Sequence, residues 1–279
     1  MRLLFLAAAL TVVSVAEAAE PPGARAAYVE RRGLLEADSR CRGLLSRDLR
    51  QALQAGAAQA RGALLRAGWN NAQVSELEGA VVNAARARAC NDPRNAQAVE
   101  DAEVAFARWT SASTMEFPGW SQNWLARRAP DRDGWRLRQT LDGGAVFGVR
   151  DQTGRQHLSL IIPLASGQAA PSTARIVMRD PARAPMREVA LPQRVAFGLE
   201  AGAPPPGVAT LTVSATRNTN AGQRNQAVFD FADVAFQRLM QLDPRETIEL
   251  RVETGRVSRR YLVEVGDVAV ARTYLALAD

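Results

Sequence analysis

Few residues in this chain of 279 could do acid–base or nucleophilic chemistry, and His157 is the only histidine among them. In the strand predicted around it, alternation places Ser159 on the same face as His157. Neighbours on one face of a strand are about 6.5–7 Å apart, whereas a serine–histidine pair needs hydrogen-bond contact for nucleophilic catalysis. The chain also lacks the G-x-S-x-G motif of the nucleophile elbow. The sequence therefore favours a solvated or locally hydrogen-bonded histidine over a catalytic one.

Pairs of carboxylates are the second kind of catalytic candidate, because glycosidases use two of them across a cleft. Nothing in the surrounding residues would shift the pKa values of two carboxyl groups apart, which such catalysis requires. Asp131 and Asp133 lie in a predicted arginine-rich loop. Asp230 and Asp233 lie at a predicted helix start, where acids complement the dipole. Glu249 and Glu253 lie on the outer face of a predicted strand.

The segment from Trp109 to Arg138 is the richest in residues that recognise ligands, with four of the five tryptophans of the chain. Aromatic rings stack on ligands, and guanidinium groups form two hydrogen bonds to phosphates or carboxylates. The alternative is that the rings pack the two halves of the chain together and the arginines extend around them. The predicted binding residues are Trp120, Trp124, Arg127, Arg128, Arg132, Trp135, Arg136 and Arg138.

The composition excludes several kinds of site. All 35 basic residues are arginine, so the chain has neither a lysine of the phosphate-binding loop nor a Schiff-base lysine. A single histidine excludes metal sites that need two. We therefore predict no metal ion and no cofactor. The net charge of +6 would ordinarily suggest nucleic acid as a partner.

The N-terminus argues against nucleic acid, because residues 1–18 are typical of a secretory signal peptide. Arg2 is followed by an apolar run and by Ala16-Glu17-Ala18, a small-x-small cleavage site. The apolar run is shorter than the roughly 20 residues that span a membrane. These features predict cleavage near Ala18, a periplasmic or secreted protein, and no transmembrane segment after cleavage. The partner expected for the positive charge is then an envelope protein or an anionic glycan or lipid.

The two cysteines, Cys41 and Cys90, are predicted to form a disulfide in an oxidising compartment. The bond would close a loop of about 50 residues, worth roughly 4 kcal/mol in the chain-entropy model. If one helix ran from Cys41 to Gly68, the next helix would be roughly 12 Å too short to return to it. The pairing therefore needs a break near Gly43 or Gly56, or a late helix start at Ser75 balanced by bending.

Residues 24–113 have helical periodicity and predict an α-helical domain that contains the disulfide. Apolar residues recur three and four apart, from Leu45 through Leu49 and Leu53 in the first stripe. Ser75 and Glu78 suggest a capping box for the second helix, and Asp92-Pro93 is a start signal for the third. Short connections make such helices antiparallel neighbours.

Residues 119–279 change to a period of two and predict a mainly antiparallel β domain. Before it, Met115 to Gly119 is predicted to be a hinge. Two helices are expected late in this half, near 231–242 and 267–278. The fold class is α+β, an N-terminal antiparallel helical bundle or hairpin followed by an antiparallel sheet. The first predicted strands are Trp135 to Leu141, Ala145 to Arg150, and Arg155 to Leu164.

Over about the last fifty residues, the order of helix, strand pair and terminal helix resembles the secreted invasion-associated locus B type of protein. The resemblance rests on apolar spacing. That family usually carries cysteine pairs in its β portion, whereas residues 91–279 contain no cysteine. The chain is therefore not assigned to that family.

These observations favour a non-catalytic protein of the cell envelope that binds a protein partner or an anionic envelope polymer. The alternative is an envelope hydrolase acting on a glycan or an ester. Its site would lie near His157 or at the junction from Trp109 to Arg138.

Overall fold

The computed structural model describes residues 23–152, 154–184, 208–219 and 225–277. Four helices precede a ten-stranded antiparallel sheet, and two further helices follow late in the chain. The predicted α+β class is confirmed. The predicted signal peptide, residues 1–18, lies outside the described residues. In the described part of the chain, no helix is both long enough and apolar enough to cross a membrane.

Each of the second, third and fourth helices begins at a side chain that caps it. Ser46 accepts a hydrogen bond from the backbone N–H of Leu49, and Asp92 accepts one from Arg94 with Pro93 in the first turn. Such caps satisfy amide groups that have no partner inside the helix. The Asp92-Pro93 start is therefore confirmed. The four helices are α1 (Ala24–Cys41), α2 (Arg47–Arg66), α3 (Asn71–Ala87) and α4 (Pro93–Ser111).

The capping box predicted at Ser75 is wrong. The third helix starts earlier, because Asn70 and Gln73 exchange the same two hydrogen bonds between side chain and backbone, each at 2.8 Å. Asn70 is therefore the N-cap of the third helix.

A break between α1 and α2 makes the disulfide possible. Arg42 and Gly43 have positive φ angles of 49° and 83°, and the Asp38 carboxylate accepts the backbone N–H of Leu45 at 3.0 Å. Cys41 is therefore the last residue of α1 rather than part of the following helix. The predicted break near Gly43 and the predicted bond from Cys41 to Cys90 are both confirmed, with 5.5 Å between the two Cα atoms.

Contacts between α1 and α3 show that these two helices run parallel. Arg32 bonds Glu78, Glu36 bonds Arg86, and Cys41 bonds Cys90, at sequence separations of 46, 50 and 49. A nearly constant separation means that both helices advance in the same direction. The disulfide therefore joins their C-terminal ends, while α2 runs antiparallel beside α1.

The strands form one sheet in the order β1-β2-β3-β4-β5-β8-β7-β6-β9-β10. Every neighbouring pair is antiparallel. The elements are β1 (Thr114–Phe117), β2 (Trp124–Arg127), β3 (Trp135–Thr140), β4 (Val146–Gln152), β5 (Arg155–Pro163), β6 (Thr173–Arg179), β7 (Thr210–Arg217), β8 (Gln226–Phe231), α5 (Asp233–Leu239), β9 (Thr247–Thr254), β10 (Val257–Glu264) and α6 (Val268–Ala276).

Alternation along the strands builds the core of the sheet. Phe147, Leu160 and Phe229 are paired across β4, β5 and β8, and all three are fully buried. The meander of β3 to β5 is confirmed, but the predicted hinge at Met115 to Gly119 is wrong, because Thr114–Phe117 forms β1. At the other end, β10 returns toward β3, where the Gln139 side chain bonds the backbone of Glu264 in both directions at 2.9 and 3.2 Å.

Helix α2 joins the helical layer to the sheet. Ala55 belongs to the core of the sheet, and Arg66 forms an ion pair with Asp267 at the start of α6. A Cβ added at Gly62 would lie 2.8 Å from Asp267 Oδ1. The absence of a side chain at Gly62 therefore allows α2 to approach α6 closely.

Candidate functional site

Two of the predicted binding tryptophans lie inside the protein. Trp124 is completely buried, and its Nε1 donates to the carbonyl oxygens of Glu264 and Val265 at 2.9 and 3.0 Å. Trp135 is 3% exposed, and the Arg150 guanidinium carbon lies 5.4 Å from its ring centre. Both rings contribute packing, with one cation–π contact at Trp135.

Arg128, also a predicted binding residue, ties three elements together. Its guanidinium carbon lies 4.0 Å from the centre of the Tyr274 ring. The same group donates to the carbonyl oxygens of Trp109, Ala112 and Tyr274 at 3.0, 2.8 and 3.1 Å. These bonds fix the end of α4 against β2 and α6, and they use most of the donors of the guanidinium.

The other predicted arginines differ in exposure. Arg138 forms an ion pair with Asp131 at 3.2 Å, Arg136 is 8% exposed, and Arg127 is half-buried. Arg132 is the one exposed residue among the eight predicted.

Trp120 is half-buried and lies in a loop held to the end of the sheet. The backbone N–H groups of residues 120–122 all donate to the Glu264 carboxylate, the longest bond being 3.1 Å. The indole Nε1 of Trp120 donates to the carbonyl oxygen of Arg245 at 3.2 Å. A Cβ at Gly119 would clash with Glu264 Oε2, so this loop needs glycine there. The ring of Trp120 is therefore held in one position.

A cavity of about 490 Å³ lies beside Trp120, between α1, α2 and the start of α6. Alanines of α1 and α2 form two of its walls, and Trp120 forms another. Its polar lining comes from Arg31, Gln59, Arg66 and Asp267. A small space with one fixed ring and a few converging polar groups is typical of a ligand site.

Arg66 and Asp267 neutralise each other in this cavity. Two parallel hydrogen bonds of 2.8 and 2.9 Å join the guanidinium to the carboxylate, and the two side chains are only 9% and 2% exposed. Burial raises the pKa of the Asp267 carboxyl, and Arg66 opposes that shift. The pair is therefore a structural contact between α2 and α6.

The surroundings of Arg31 differ from those of Arg66. It is half-buried, and its Nη1 donates to the carbonyl oxygen of Gly56 at 2.7 Å. Within the described ranges, it forms no ion pair with a carboxylate. Burial lowers the pKa of the Arg31 guanidinium, because desolvation disfavours its charge, and the exposed Glu30 carboxylate opposes that shift without forming an ion pair. Neighbouring Arg32, by contrast, bonds Glu78 at 2.7 Å.

A second space opens on the other side of Arg31. This groove of about 580 Å³ lies between α1, α2 and α4, and Arg31 and Gln59 line both spaces. Much of its lining is apolar, with Leu34 of α1 and Leu53 of α2 on one side and Phe106 of α4 on the other. Among the nineteen residues of α4, only Asn95 is buried. Neither space was predicted from the sequence, and no role was predicted for Arg31.

A third and more polar groove, of about 770 Å³, runs along α1 and α2 and has Glu78 of α3 in its lining. Its charges are largely paired, as in Arg50 with Asp38 at 2.6 Å and Arg32 with Glu78 at 2.7 Å. The Tyr28 hydroxyl donates to Glu78 at 3.2 Å, and burial together with that carboxylate raises the pKa of Tyr28 to about 12. The ion pairs here connect the helices to one another.

His157 is half-buried, and its side chain has no hydrogen bond or ion pair in the described part of the protein. Ser159 donates its hydroxyl to Asp230 Oδ1 at 2.6 Å instead, and Asn218 donates to the other oxygen of Asp230 at 2.9 Å. The structure therefore places an acid, not the histidine, at the serine hydroxyl. A serine–histidine catalytic contact is missing from this arrangement.

The predicted acid pairs make local structural contacts. Asp131 accepts the backbone N–H groups of Asp133 and Trp135 at 3.0 and 2.9 Å. Glu249 is 1% exposed and accepts from Arg251 at 2.6 Å. Among the residues that the structure describes, no group of three or more acids, cysteines or histidines could hold a metal ion.

The two spaces that meet at Arg31 thus combine a fixed indole ring, a cation without a carboxylate partner in the described chain, and an apolar groove. These features suit a ligand that carries a negative charge and some apolar surface. Comparison of the sequence with protein-family models, with curated proteins and with solved structures found no match.

Proposed function

We propose that this protein is a non-catalytic binding protein of the cell envelope that binds an anionic ligand, a polymer or a lipid, at Arg31 in the cleft beside Trp120. The observation that carries the proposal is the half-buried Arg31 guanidinium without a carboxylate partner among the described residues. A charge removed from water is costly unless an opposite charge compensates it. A carboxylate or phosphate group of a ligand would supply that compensation.

The chemistry of arginine supports an oxygen anion as the bound group. The planar guanidinium presents a fork of donors that matches carboxylate and phosphate. Among the described residues, Arg31 makes one hydrogen bond, from Nη1 to the Gly56 carbonyl oxygen. The remaining donors are available to a ligand that enters from either space.

Trp120 supports a ligand that carries a ring or another flat apolar surface next to its charge. The loop bonds to Glu264 and Arg245 hold the indole before any ligand binds. A side chain fixed in advance loses little entropy on binding. An acidic sugar, with its carboxylate at Arg31 and its ring against Trp120, is one ligand of this chemistry.

The disulfide between Cys41 and Cys90 is compatible with an extracytoplasmic location. Together with the signal peptide predicted for residues 1–18, it supports the envelope as the place where the ligand is met.

The test is isothermal titration calorimetry with an oligogalacturonate, at low and at high salt, on the wild-type protein and on Arg31→Gln. A lost hydrogen bond to a charged group is worth about 1.5–3 kcal/mol, so the variant should bind at least about tenfold more weakly. Arg31→Lys, which keeps the charge but not the fork, should lose less affinity. Circular dichroism would verify that each variant is folded.

The matched control is Arg108→Gln, which removes the same charge from an exposed position on α4. It should bind like the wild-type protein. Equal losses in Arg31→Gln and Arg108→Gln would show a general effect of net charge and contradict a site at Arg31.

A further inference from the structure

We infer that the ligand is an anionic single-chain amphiphile, whose acyl chain lies in the groove between α1, α2 and α4 and whose head is bound at Arg31; this inference rests on the proposed function. It assigns one ligand to the two spaces that meet at that arginine.

The lining of the groove suits hydrocarbon. Leu34, Leu49 and Leu53 come from α1 and α2, and Ala102 and Phe106 come from α4. The volume of about 580 Å³ falls within the range of small-molecule sites. An apolar chain laid on these side chains would be removed from water, which is favourable in proportion to its area.

The shape of the groove selects a single chain. The lining residues of α4 extend from Arg94 to Trp109, and fifteen steps along a helix span about 22 Å. Leu34, Leu49 and Leu53 are only 6%, 2% and 9% exposed, so the apolar strip between the helices is narrow. An α-helix with side chains is about 10–12 Å across. A narrow strip of this length suits one acyl chain better than a helical segment of a partner protein.

The packing of α4 explains why the groove exists. The helix is fixed at one end by the Asp92 cap beside Cys90, and at the other end by the Arg128 bonds to Trp109 and Ala112. Between these ends, its apolar side chains are only partly buried against the leucines of α1 and α2. The partly buried side chains in the middle of α4 form one wall of the groove.

The charges around the groove point to Arg31 as the position of the head. Arg94 is bonded to Asp92 at 2.6 Å, and Arg88 donates to the amide oxygen of Asn95 at 3.4 Å. Of the charged groove residues, Arg31 alone also lines the Trp120 cavity, where a head group has room. The charged residues in the groove lining are Glu30, Arg31, Arg88, Arg94 and Asp101.

The first experiment compares saturated carboxylates from butyrate to dodecanoate by calorimetry, each below its micelle concentration. Burying one methylene is worth about a fourfold change in affinity, so affinity should rise steeply with chain length. Dodecyltrimethylammonium, with the same chain and the opposite charge, should bind much more weakly. Equal binding of that cation would contradict an anionic head. Dodecanoate and a lysophosphatidylglycerol of equal chain length then distinguish a carboxylate from a phosphate head.

The second experiment fills the groove with Ala102→Trp, a lining position on α4. Dodecanoate should bind at least about tenfold more weakly, the equivalent of two or more buried methylenes, while butyrate is unaffected. Ala107→Trp places the same ring on the exposed side of the same helix and should change neither affinity. If Ala102→Trp does not fold, Ala105→Trp tests a more exposed lining position.

The outcomes separate this inference from the proposed function. If affinity depends on Arg31 but not on chain length, the anion site stands and the acyl groove is wrong. Unchanged dodecanoate binding in the groove-filled variant would likewise contradict the acyl groove alone. If neither dodecanoate nor oligogalacturonate binds, both proposals fail.

Discussion

Two arginines line the cavity beside Trp120, and they differ in whether a carboxylate forms an ion pair with them. Arg66 is almost completely buried and its charge is met by both oxygens of Asp267. Arg31 is half-buried, and among the described residues it hydrogen-bonds the Gly56 carbonyl oxygen but forms no ion pair, although exposed Glu30 lies near enough to act on its charge. The ion pair of Arg66 holds α2 against α6 in one region, whereas no such ion pair of Arg31 joins two described helices in the other. The ion pair makes Arg66 a structural contact, and its absence at Arg31 is what the proposed anion site depends on.

Each region also has its own glycine on α2. A Cβ at Gly62 would lie 2.8 Å from Asp267 Oδ1, and a Cβ at Gly56 would lie 3.0 Å from Cδ of Arg31. The room for a Cβ atom is similar at the two glycines. The nearest atom belongs to the ion-paired carboxylate of Asp267 at Gly62, and to Arg31, which has no ion pair with a described carboxylate, at Gly56.

Asp267→Ala tests the contrast between the two arginines most strongly. The variant leaves Arg66 buried without a counter-ion, which typically destabilises a protein by about 3–5 kcal/mol. Urea unfolding measures the loss. The control is Glu253→Ala, which removes the carboxylate of an ion pair with Arg175 whose side chains are 42% and 38% exposed. That loss should be at most about 1 kcal/mol. Equal losses would mean that the Arg66 pair is no more structural than a surface pair.

Alanine at each of the two glycines tests whether the regions also differ in rigidity. Gly62→Ala must displace the buried pair and should destabilise the protein by about 1–3 kcal/mol. In Gly56→Ala, the Arg31 side chain can turn away, and alanine is favoured over glycine in a helix by about 0.5–1 kcal/mol. Stability should then be nearly unchanged, while affinity for the anionic ligand falls. Thermal unfolding and calorimetry measure the two effects. A Gly56→Ala protein that is as unstable as Gly62→Ala would contradict the difference between the regions.

The smallest expected effect concerns Arg32, which follows Arg31 but has an acid partner. Its hydrogen bond is the main reason that the pKa of the Glu78 carboxyl is lowered. A lowered folded-state pKa stabilises the protein above the unfolded value of about 4.3, and this stability is lost as pH falls through the folded value. The side chains are 27% and 40% exposed, so the contribution is below about 1 kcal/mol.

The variant for this test is Glu78→Gln. It should unfold slightly more easily than wild type at pH 7, and the difference should disappear as the pH falls through the lowered folded-state pKa, below which the carboxyl is protonated in both states. A pH-independent difference for Glu78→Gln would show that packing, not charge, is what the glutamate contributes.

Local signals were sufficient for much of the fold. The stripe from Leu45 to Leu53 and the Asp92-Pro93 start predict helices, and alternation from Trp135 predicts the meander, because these patterns reflect burial against one neighbouring layer. Strands β1 and β2 have four residues each and flank Pro118-Gly119. Four residues are too few to show the period-two alternation that identifies a strand. The two segments are strands because of the strands with which they pair, and not because of a pattern in their own residues.

Less of the candidate site than of the fold could be predicted from the sequence. Trp120 could be identified because tryptophan is rare in the chain and four of the five lie close together. Arg31 is one of 35 basic residues, and nothing in its neighbours distinguishes it from Arg32. What distinguishes it is the position of carboxylates on other helices, which depends on how α1, α2 and α3 pack.

The parallel course of α1 and α3 has a consequence for recombinant production. The Cys41–Cys90 bond joins the ends of these helices, and α2 lies within the loop that it closes. In a reducing cytoplasm the bond would not form, yet α2 would still be held to the sheet side by Arg66 and Asp267. Such a preparation could retain a folded sheet while α4, which starts three residues after Cys90, loses its anchor. Material made in a reducing cytoplasm would then give a normal circular dichroism spectrum and an altered groove between α1, α2 and α4.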